Sequence, residues 1–178
     1  MPLFYPTLYR ERVTDITPGD LRGLGVRGLL LDVDNTLARH GSQFLDPAVE
    51  AWLAEMKAAG ISLTIVSNAL PRRVEPFARR VGLRFIAFAC KPGPFGFLRG
   101  ARRLGLPRKQ CAAVGDQVFT DILGANLCGI PCIQLQPIEP EKKPLLRFKR
   151  RLEAWLRRRQ SKRERRANEE RATGRDDR

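Results

Sequence analysis

Short apolar segments alternate with segments of helical periodicity along most of this 178-residue chain. The segment Gly28–Leu31 is continuously apolar, which is typical of a strand buried on both faces of a parallel sheet. Further strands are predicted at residues 61–66, 84–89, 111–114 and 131–135. Helices are predicted between them, at residues 46–59, 71–81, 94–104 and 119–126. The pattern therefore predicts an α/β fold, a doubly wound, Rossmann-like parallel sheet of about five strands with right-handed crossovers.

The two ends of the chain depart from this alternation. Residues 1–9 carry several aromatic side chains without a clear period, and we expect this arm to pack on the domain rather than to contact a membrane or a partner. Pro137, Pro140 and Pro144 predict a stiff linker after the last strand. We therefore divide the chain into a domain at 1–136, a linker with a basic amphipathic helix at 137–160, and a charged, disordered tail at 161–178.

Polar residues follow four of the predicted strands. Asp32 and Asp34 follow the first, Ser67 the second, Lys91 the third and Asp116 the fourth. Because parallel strands end at the same edge of a sheet, we expect these side chains to share one crevice. Carboxylates are ligands for Mg²⁺, and an ammonium group and a hydroxyl suit a phosphate. The pattern predicts a site for a phosphate and a divalent metal.

One residue separates the two aspartates. On an extended strand Asp32 and Asp34 would point to opposite faces, so they converge on one ligand only if the backbone breaks at Val33 or Asp34. The following Asn35 and Thr36 permit such a break. The alternative is a strand that simply ends in a solvated turn.

Four short motifs, in this order, resemble those of haloacid-dehalogenase (HAD) superfamily phosphatases, and more closely the YqeG-type branch of subfamily IIIA. Residues 32–36 resemble the first motif, Ser67 the second, Lys91 and Pro92 the third, and residues 115–121 the fourth. The resemblance covers roughly residues 3–135. It implies a HAD-like fold and a phosphoric monoester hydrolase that depends on Mg²⁺.

The resemblance also implies a role for each motif residue. Asp32 would be the nucleophile that forms an aspartyl-phosphate, and Asp34 the general acid and base. Ser67 and Lys91 would hold the phosphate, with Asn68 as a lesser candidate. The implied Mg²⁺ ligands are Asp32, Asp116 and the main-chain carbonyl of Asp34, supported by Asp121 and Thr36.

The spacing between the motifs leaves no room for a cap domain. Residues 34–67 and residues 67–91 each accommodate one loop and one helix. A site without a cap is open, so it suits large substrates or substrates presented on a surface, unless a partner subunit closes it.

The formal net charge of +14 is concentrated near the C-terminus. Residues 141–178 hold 16 Lys and Arg against 7 Asp and Glu. Leu145, Phe148, Leu152 and Trp155 recur at helical spacing among cations that continue to Arg159. A basic helix with such a stripe, at residues 145–159, is typical of docking on an anionic membrane. The alternative is that the stripe packs against the main domain.

Composition also bears on the compartment. No apolar run approaches the ~20 residues of a membrane span, and the N-terminus lacks the features of a signal peptide. We therefore expect a cytoplasmic protein, peripheral on the inner face of the membrane if the basic helix docks there. The four cysteines lack metal-site spacing, and we expect them to be buried free thiols.

Three functions of different class follow from these features. The first is a Mg²⁺-dependent phosphatase at the membrane surface, with phosphatidylglycerophosphate as the substrate that the resemblance suggests. The second is a soluble phosphatase of a small metabolite or of a nucleic-acid phosphate end. The third is an RNA- or ribosome-binding protein that uses the basic tail, which the intact set of motif residues disfavours. The sequence leaves the oligomeric state open.

Overall fold

The computed structural model describes residues 3–139. The chain divides into two units, at residues 1–139 and 140–178, and only the first is described here. The basic helix predicted at 145–159 and the tail predicted at 161–178 lie outside the described residues. Across residues 3–139, each helix is too short or too polar to span a bilayer.

The fold is built on one parallel sheet of six strands in the order β1-β6-β5-β2-β3-β4. The strands are β1 (Leu8–Arg10), β2 (Gly28–Leu31), β3 (Ser62–Val66), β4 (Arg84–Ile86), β5 (Cys111–Gly115) and β6 (Cys132–Leu135). The α-helices are α1 (Pro18–Gly23), α2 (Pro47–Ala58), α3 (Pro71–Arg80), α4 (Pro94–Leu104) and α5 (Leu123–Leu127). A π-helical turn, Val118–Ile122, leads directly into α5. This is the doubly wound α/β fold predicted from the apolar pattern.

Helix α2 shows how the sequence specifies these elements. The side chain of Asp46 caps its first turn by accepting from the amide of Ala48 at 2.8 Å, and Pro47 fills the first helical position. Its large apolar residues, Val49, Trp52, Leu53 and Met56, fall at helical spacing and are buried. Trp52 Nε1, which is also buried, donates to the carbonyl oxygen of Ile16 at 2.8 Å. One face of the helix therefore closes one side of the core.

The sheet has one more strand than the sequence predicted. Residues Leu8–Arg10 of the N-terminal arm pair with β6, so the arm packs on the domain as an edge strand. The predicted third strand is also shorter, because the chain turns through left-handed backbone at Phe88 and Cys90, with φ of 48° and 55°. That turn leaves Cys90 exposed, so the prediction of four buried thiols is wrong for this residue and right for the other three.

No cap domain interrupts residues 3–139. The β2–α2 connection is a single loop of residues 32–46, and the β3–α3 connection is shorter still. The carboxyl edge of the sheet is therefore open within the described part of the chain.

Candidate active site

The four predicted motifs meet at the carboxyl edge of the sheet. Strand β2 pairs with β3 on one side and with β5 on the other, so their C-terminal ends are neighbours. Asp32, Ser67 and Asp116 each follow the last residue of one of these strands. The amide of Asp32 still donates to the carbonyl of Val114, at 2.9 Å, which fixes its position between the strands. Sheet topology alone thus brings these three residues together.

A buried ion cluster occupies the centre of this edge. Lys91 Nζ lies 2.6 Å from Asp32 Oδ1 and 2.6 Å from Asp121 Oδ1. Asp116 is fully buried, and one carboxylate oxygen from each of Asp32, Asp116 and Asp121 lies within 4.8 Å of the others. Three acids and one ammonium group therefore converge on one point.

The cluster carries more negative charge than its own lysine neutralises. Burial raises the pKa of Asp32 to about 7, and repulsion from Asp121 and Asp116 adds to this, in spite of the attraction of Lys91. Burial alone would lower the pKa of Lys91, but the carboxylates of Asp121 and Asp32 raise it on balance, so the ammonium group stays charged. Buried charges are stable only when they are paired, so the cluster favours a further cation.

The backbone breaks just after Asp32, as the spacing of the two aspartates requires. The carbonyl of Val33 accepts from the amides of Leu37 and Ala38, at 3.0 and 3.1 Å. Asn35 adopts a left-handed conformation with φ of 61°, which asparagine tolerates better than most residues. This tight turn carries Asp34 away from the strand and leaves its side chain about one fifth exposed.

Asp34 is held by groups outside the ion cluster. Its Oδ1 accepts from the amide of Gly41 at 2.9 Å and from Arg73 Nη2 at 3.0 Å. Arg73, in the first turn of α3, also donates to the carbonyl of Ser42 at 3.1 Å. His40 Nδ1 lies 3.8 Å from the same carboxylate oxygen. Arg73 is not among the predicted site residues, since nothing in the spacing links it to an aspartate 39 residues away.

Asn68 contacts the main chain of Lys91 with both ends of its side chain. Its Oδ1 accepts from the Lys91 amide at 2.6 Å, and its Nδ2 donates to the Lys91 carbonyl at 2.9 Å. Ser67 is buried beside it, and its Oγ accepts from the amide of Ala69 at 3.2 Å. Asn68 therefore fixes the loop that carries Lys91. Both polar ends of its side chain are bonded to this loop, whereas the sequence suggested Asn68 as a direct ligand of the phosphate.

Asp121 approaches the cluster from the π-helical turn. Its Oδ2 accepts from the amide of Gln117 at 3.2 Å, while its Oδ1 faces Lys91. The carboxyl carbon of Asp121 lies so close to Gly115 that a β-carbon there would be 2.4 Å away. A glycine at the end of β5 is thus required for Asp121 to reach the lysine, and π-helical turns often occur at such functional positions.

Thr36 belongs to the turn rather than to the ion cluster. Its side chain is buried, and its Oγ1 has no hydrogen-bond partner among residues 3–139. Beside it lies a groove of about 780 Å³, which separates the turn from residues 135–138 and from Phe44. Asp32 and Lys91 do not line this groove. It is a neighbour of the ion cluster, not its mouth.

A capless parallel sheet with a buried Asp–Lys–Asp cluster at its carboxyl edge defines a class of α/β hydrolytic enzymes. The model of the haloacid dehalogenase-like hydrolase family matches residues 19–129, which is more than half of the chain. The chain belongs to this family.

Two relatives and one solved structure are consistent with this assignment. The chain is 37% identical over 150 residues to a protein from Bacillus subtilis named "Probable phosphatase YqeG", which covers 84% of this chain and 87% of that protein. It is 28% identical over 133 residues to a chloroplastic phosphatidylglycerophosphate phosphatase 1 of Chlamydomonas reinhardtii, covering 70% of this chain but 49% of that protein. An uncharacterized protein from Listeria monocytogenes shares the fold, with a TM-score of 0.54 and 20% identity over 67% of this chain and 85% of its own. The prediction of a phosphatase of this family is confirmed.

Proposed function

We propose that this chain is a Mg²⁺-dependent phosphomonoesterase that works through an aspartyl-phosphate on Asp32. The observation that carries the proposal is the pair of 2.6 Å contacts from Lys91 to Asp32 and Asp121, in a buried site that also contains Asp116. A carboxylate and a permanently charged ammonium group lie side by side, where a phosphoryl group would be attacked and its charge neutralised.

The proposed reaction has two steps, formation of the aspartyl-phosphate and its hydrolysis. Asp32 attacks the phosphorus atom with a carboxylate oxygen, the bond to the leaving alcohol breaks, and Asp34 supplies a proton to that alcohol. Asp34 then takes a proton from a water molecule, which attacks the phosphorus and releases inorganic phosphate from Asp32. Lys91 and Ser67 hold the phosphoryl oxygens during both steps, and Asn68 positions Lys91 through its main chain.

The donor set at this edge suits Mg²⁺. Carboxylate oxygens converge there, and the only histidine of the chain, His40, lies beside Asp34 instead. Asp32, Asp116 and the main-chain carbonyl of Asp34 would hold the ion, supported by Asp121, whereas Thr36 would act only through the turn that carries Asp34. Bound there, Mg²⁺ would offset the excess negative charge of the cluster and neutralise phosphoryl oxygens.

Phosphatidylglycerophosphate is the substrate we propose. The open edge admits a head group that remains attached to a bilayer, and one relative is named for this activity. Residues 145–159, outside the described part of the chain, are the proposed anchor. Co-sedimentation of the whole chain and of a chain ending at Pro144 with anionic vesicles tests the anchor, and equal binding of the two would reject it.

A soluble phosphate ester is the second candidate substrate. The edge that carries the ion cluster is open within residues 3–139 and admits a small free ester as well as a head group. Binding of nucleic acid by the basic tail ranks below both, since it leaves the ion cluster without a role.

Hydrolysis of a substrate panel tests the proposed function. The panel contains phosphatidylglycerophosphate, phosphorylated sugars, nucleotides and a chromogenic phosphate ester, each with the unaltered chain and with Asp32→Asn. We expect at least one ester to be hydrolysed, and Asp32→Asn to lower its turnover by about three orders of magnitude or more, because the amide is nearly isosteric but cannot attack. Equal turnover by the folded variant would refute the nucleophile.

A further inference from the structure

The most exposed large apolar side chains of residues 3–139 lie at the edge that carries the ion cluster. Phe95, Phe44 and Phe88 are 73%, 65% and 62% exposed, more than any other large apolar residue described. Leu70 and Ile138 are 46% and 47% exposed at the same edge. These five residues are referred to below as the apolar rim.

Topology places the apolar rim around the open site. Phe44, Leu70 and Phe88 lie in the connections that follow β2, β3 and β4, and Phe95 is in the first turn of α4. Ile138 follows β6. In a parallel sheet these connections all leave from the carboxyl edge, where Asp32 and Lys91 lie. Apolar side chains from separate segments therefore lie at the sheet edge that carries the ion cluster.

Hydrogen bonds hold the rim loops against one another and against the site. The amide of Phe88 donates to the carbonyl of Ala69, at 2.9 Å, which joins the loop of Phe88 to that of Leu70. The amide of Ile138 donates to the carbonyl of Asn35, at 3.4 Å, in the turn that carries Asp34. The segments of Leu70, Phe88 and Ile138 are thus joined to one another or to the turn that carries Asp34.

The backbone of Phe88 adopts an energetically unfavourable conformation. Its φ of 48° is unfavourable for a bulky side chain, and the neighbouring Cys90 shares this left-handed conformation. Strain of this kind persists only where the surroundings enforce it, and it clusters at ligand sites and clamps. Here it turns a phenyl ring toward solvent three residues before the buried Lys91.

Charge around the rim favours an anionic surface. Arg72 is exposed next to Leu70, and Arg39 is 71% exposed in the connection that carries Phe44. Arg39 also contacts Glu139 at 3.5 Å and Asp46 caps α2, but residues 3–139 hold 17 Lys and Arg against 12 Asp and Glu, a surplus of positive charge. Apolar side chains with arginines beside them are the combination that inserts among anionic lipid head groups.

We propose that the apolar rim docks directly on an anionic lipid bilayer and presents the ion cluster to a phosphate group at its surface. The inference deepens the proposed phosphatase function, on which it rests for its substrate. It assigns membrane contact to the catalytic unit itself, through side chains that the sequence analysis did not single out.

A tryptophan placed on the rim tests this contact in the full chain. Phe95→Trp keeps an aromatic side chain on the rim, and Leu127→Trp, at a position 54% exposed near the end of α5, is the matched control. With vesicles of phosphatidylglycerol and brominated phosphatidylcholine, we expect emission from the tryptophan at 95 to shift to shorter wavelength and to be quenched. Emission at 127, measured as the difference from the unaltered chain, should not change.

Two results of this fluorescence experiment would overturn the proposal. If the chain binds vesicles while tryptophan 95 and tryptophan 127 behave alike, the rim does not enter the bilayer and binding belongs to another part of the chain. If the emission at 95 shifts with protein concentration and without vesicles, a second copy of the chain covers the rim instead.

A pair of substitutions measures the contribution of the rim to binding. Phe44→Ser with Phe95→Ser should weaken partitioning onto the anionic vesicles by about tenfold or more, whereas Leu3→Ser with Leu127→Ser should change it by less than about twofold. All four positions are more than a third exposed, so melting temperatures close to that of the unaltered chain are expected and verify folding. Equal partitioning of the two pairs would overturn the proposal. Asp32→Asn separates the hypotheses, because it should abolish turnover and keep vesicle binding.

Discussion

Gly41 and Arg73 hold the carboxylate of Asp34, the proposed general acid, and Arg73 is remote from it in sequence. The carboxylate of Asp34 accepts from the amide of Gly41, in the same loop, and from Arg73 Nη2, in α3. Because Arg73 also donates to Ser42 in the same loop, it joins helix α3 to the turn. Arg73 is therefore a positioning residue for the general acid and base, acting on Asp34 and not on the substrate.

Arg73→Ala should lower kcat by about tenfold to a hundredfold with little change in KM, because a misplaced acid slows proton transfer more than it weakens phosphate binding. Arg73→Lys should retain part of the activity, and added guanidinium should restore part of it to Arg73→Ala. Arg79→Ala, which removes an exposed arginine from the same helix, is the control. Steady-state kinetics on any accepted ester make the comparison. A rise in KM with kcat unchanged, and no rescue by guanidinium, would instead assign Arg73 to substrate binding.

At the scale of elements, the strands with continuous apolar sequence could be predicted and the short edge strand could not. Strands β2, β3, β5 and β6 are buried along nearly their whole length, which is what a run of apolar residues indicates. Strand β1 has three half-buried or exposed residues and pairs with a strand more than 120 positions away, so no local pattern marks it. Motif residues at strand ends were predictable for the same reason that the strands were. The contacts of Arg73 with Asp34 and of Asn68 with the main chain of Lys91 depend on loop geometry, which residue spacing does not specify.

Gly115, at the end of β5, leaves the space that the carboxylate of Asp121 occupies. Gly115→Ala places a methyl group in the space of the Asp121 carboxylate and should displace it from Lys91. We expect a loss of about 1–3 kcal/mol in the free energy of unfolding and a large loss of turnover. Gly23→Ala, at a glycine with no neighbour in reach of the added methyl group, is the control and should alter neither. Denaturant unfolding and activity assays on both variants test this, and a fully active Gly115→Ala would show that Asp121 does not need this position.

The whole molecule combines an open catalytic edge with a strongly uneven charge. Without a cap in the described residues, substrate selection falls to the loops around the edge and to whatever surface they meet. The basic segment beyond residue 140 and the apolar rim both favour an anionic surface, although the first lies outside the described structure. If the apolar rim docks as proposed, access to the site is governed by the docked surface as much as by the shape of the site.

Metal removal tests the charge balance of the whole site. Activity should disappear on treatment with EDTA and return with Mg²⁺, because three buried carboxylates and one lysine leave an excess of negative charge at the position of the phosphate. Asp116→Asn should raise the Mg²⁺ concentration required for half-maximal activity. Full activity of the metal-free protein would be incompatible with the proposed ligand set.

Trapping the covalent intermediate tests the central claim most directly. An accepted ester labelled in its phosphate is mixed with enzyme, the reaction is quenched in acid within one turnover, and the peptides are mapped by mass spectrometry. We predict acid-stable, hydroxylamine-labile phosphate on the peptide that contains Asp32, and none on that peptide from Asp32→Asn. Rapid turnover with no label on Asp32, or with label on another residue, would contradict the account.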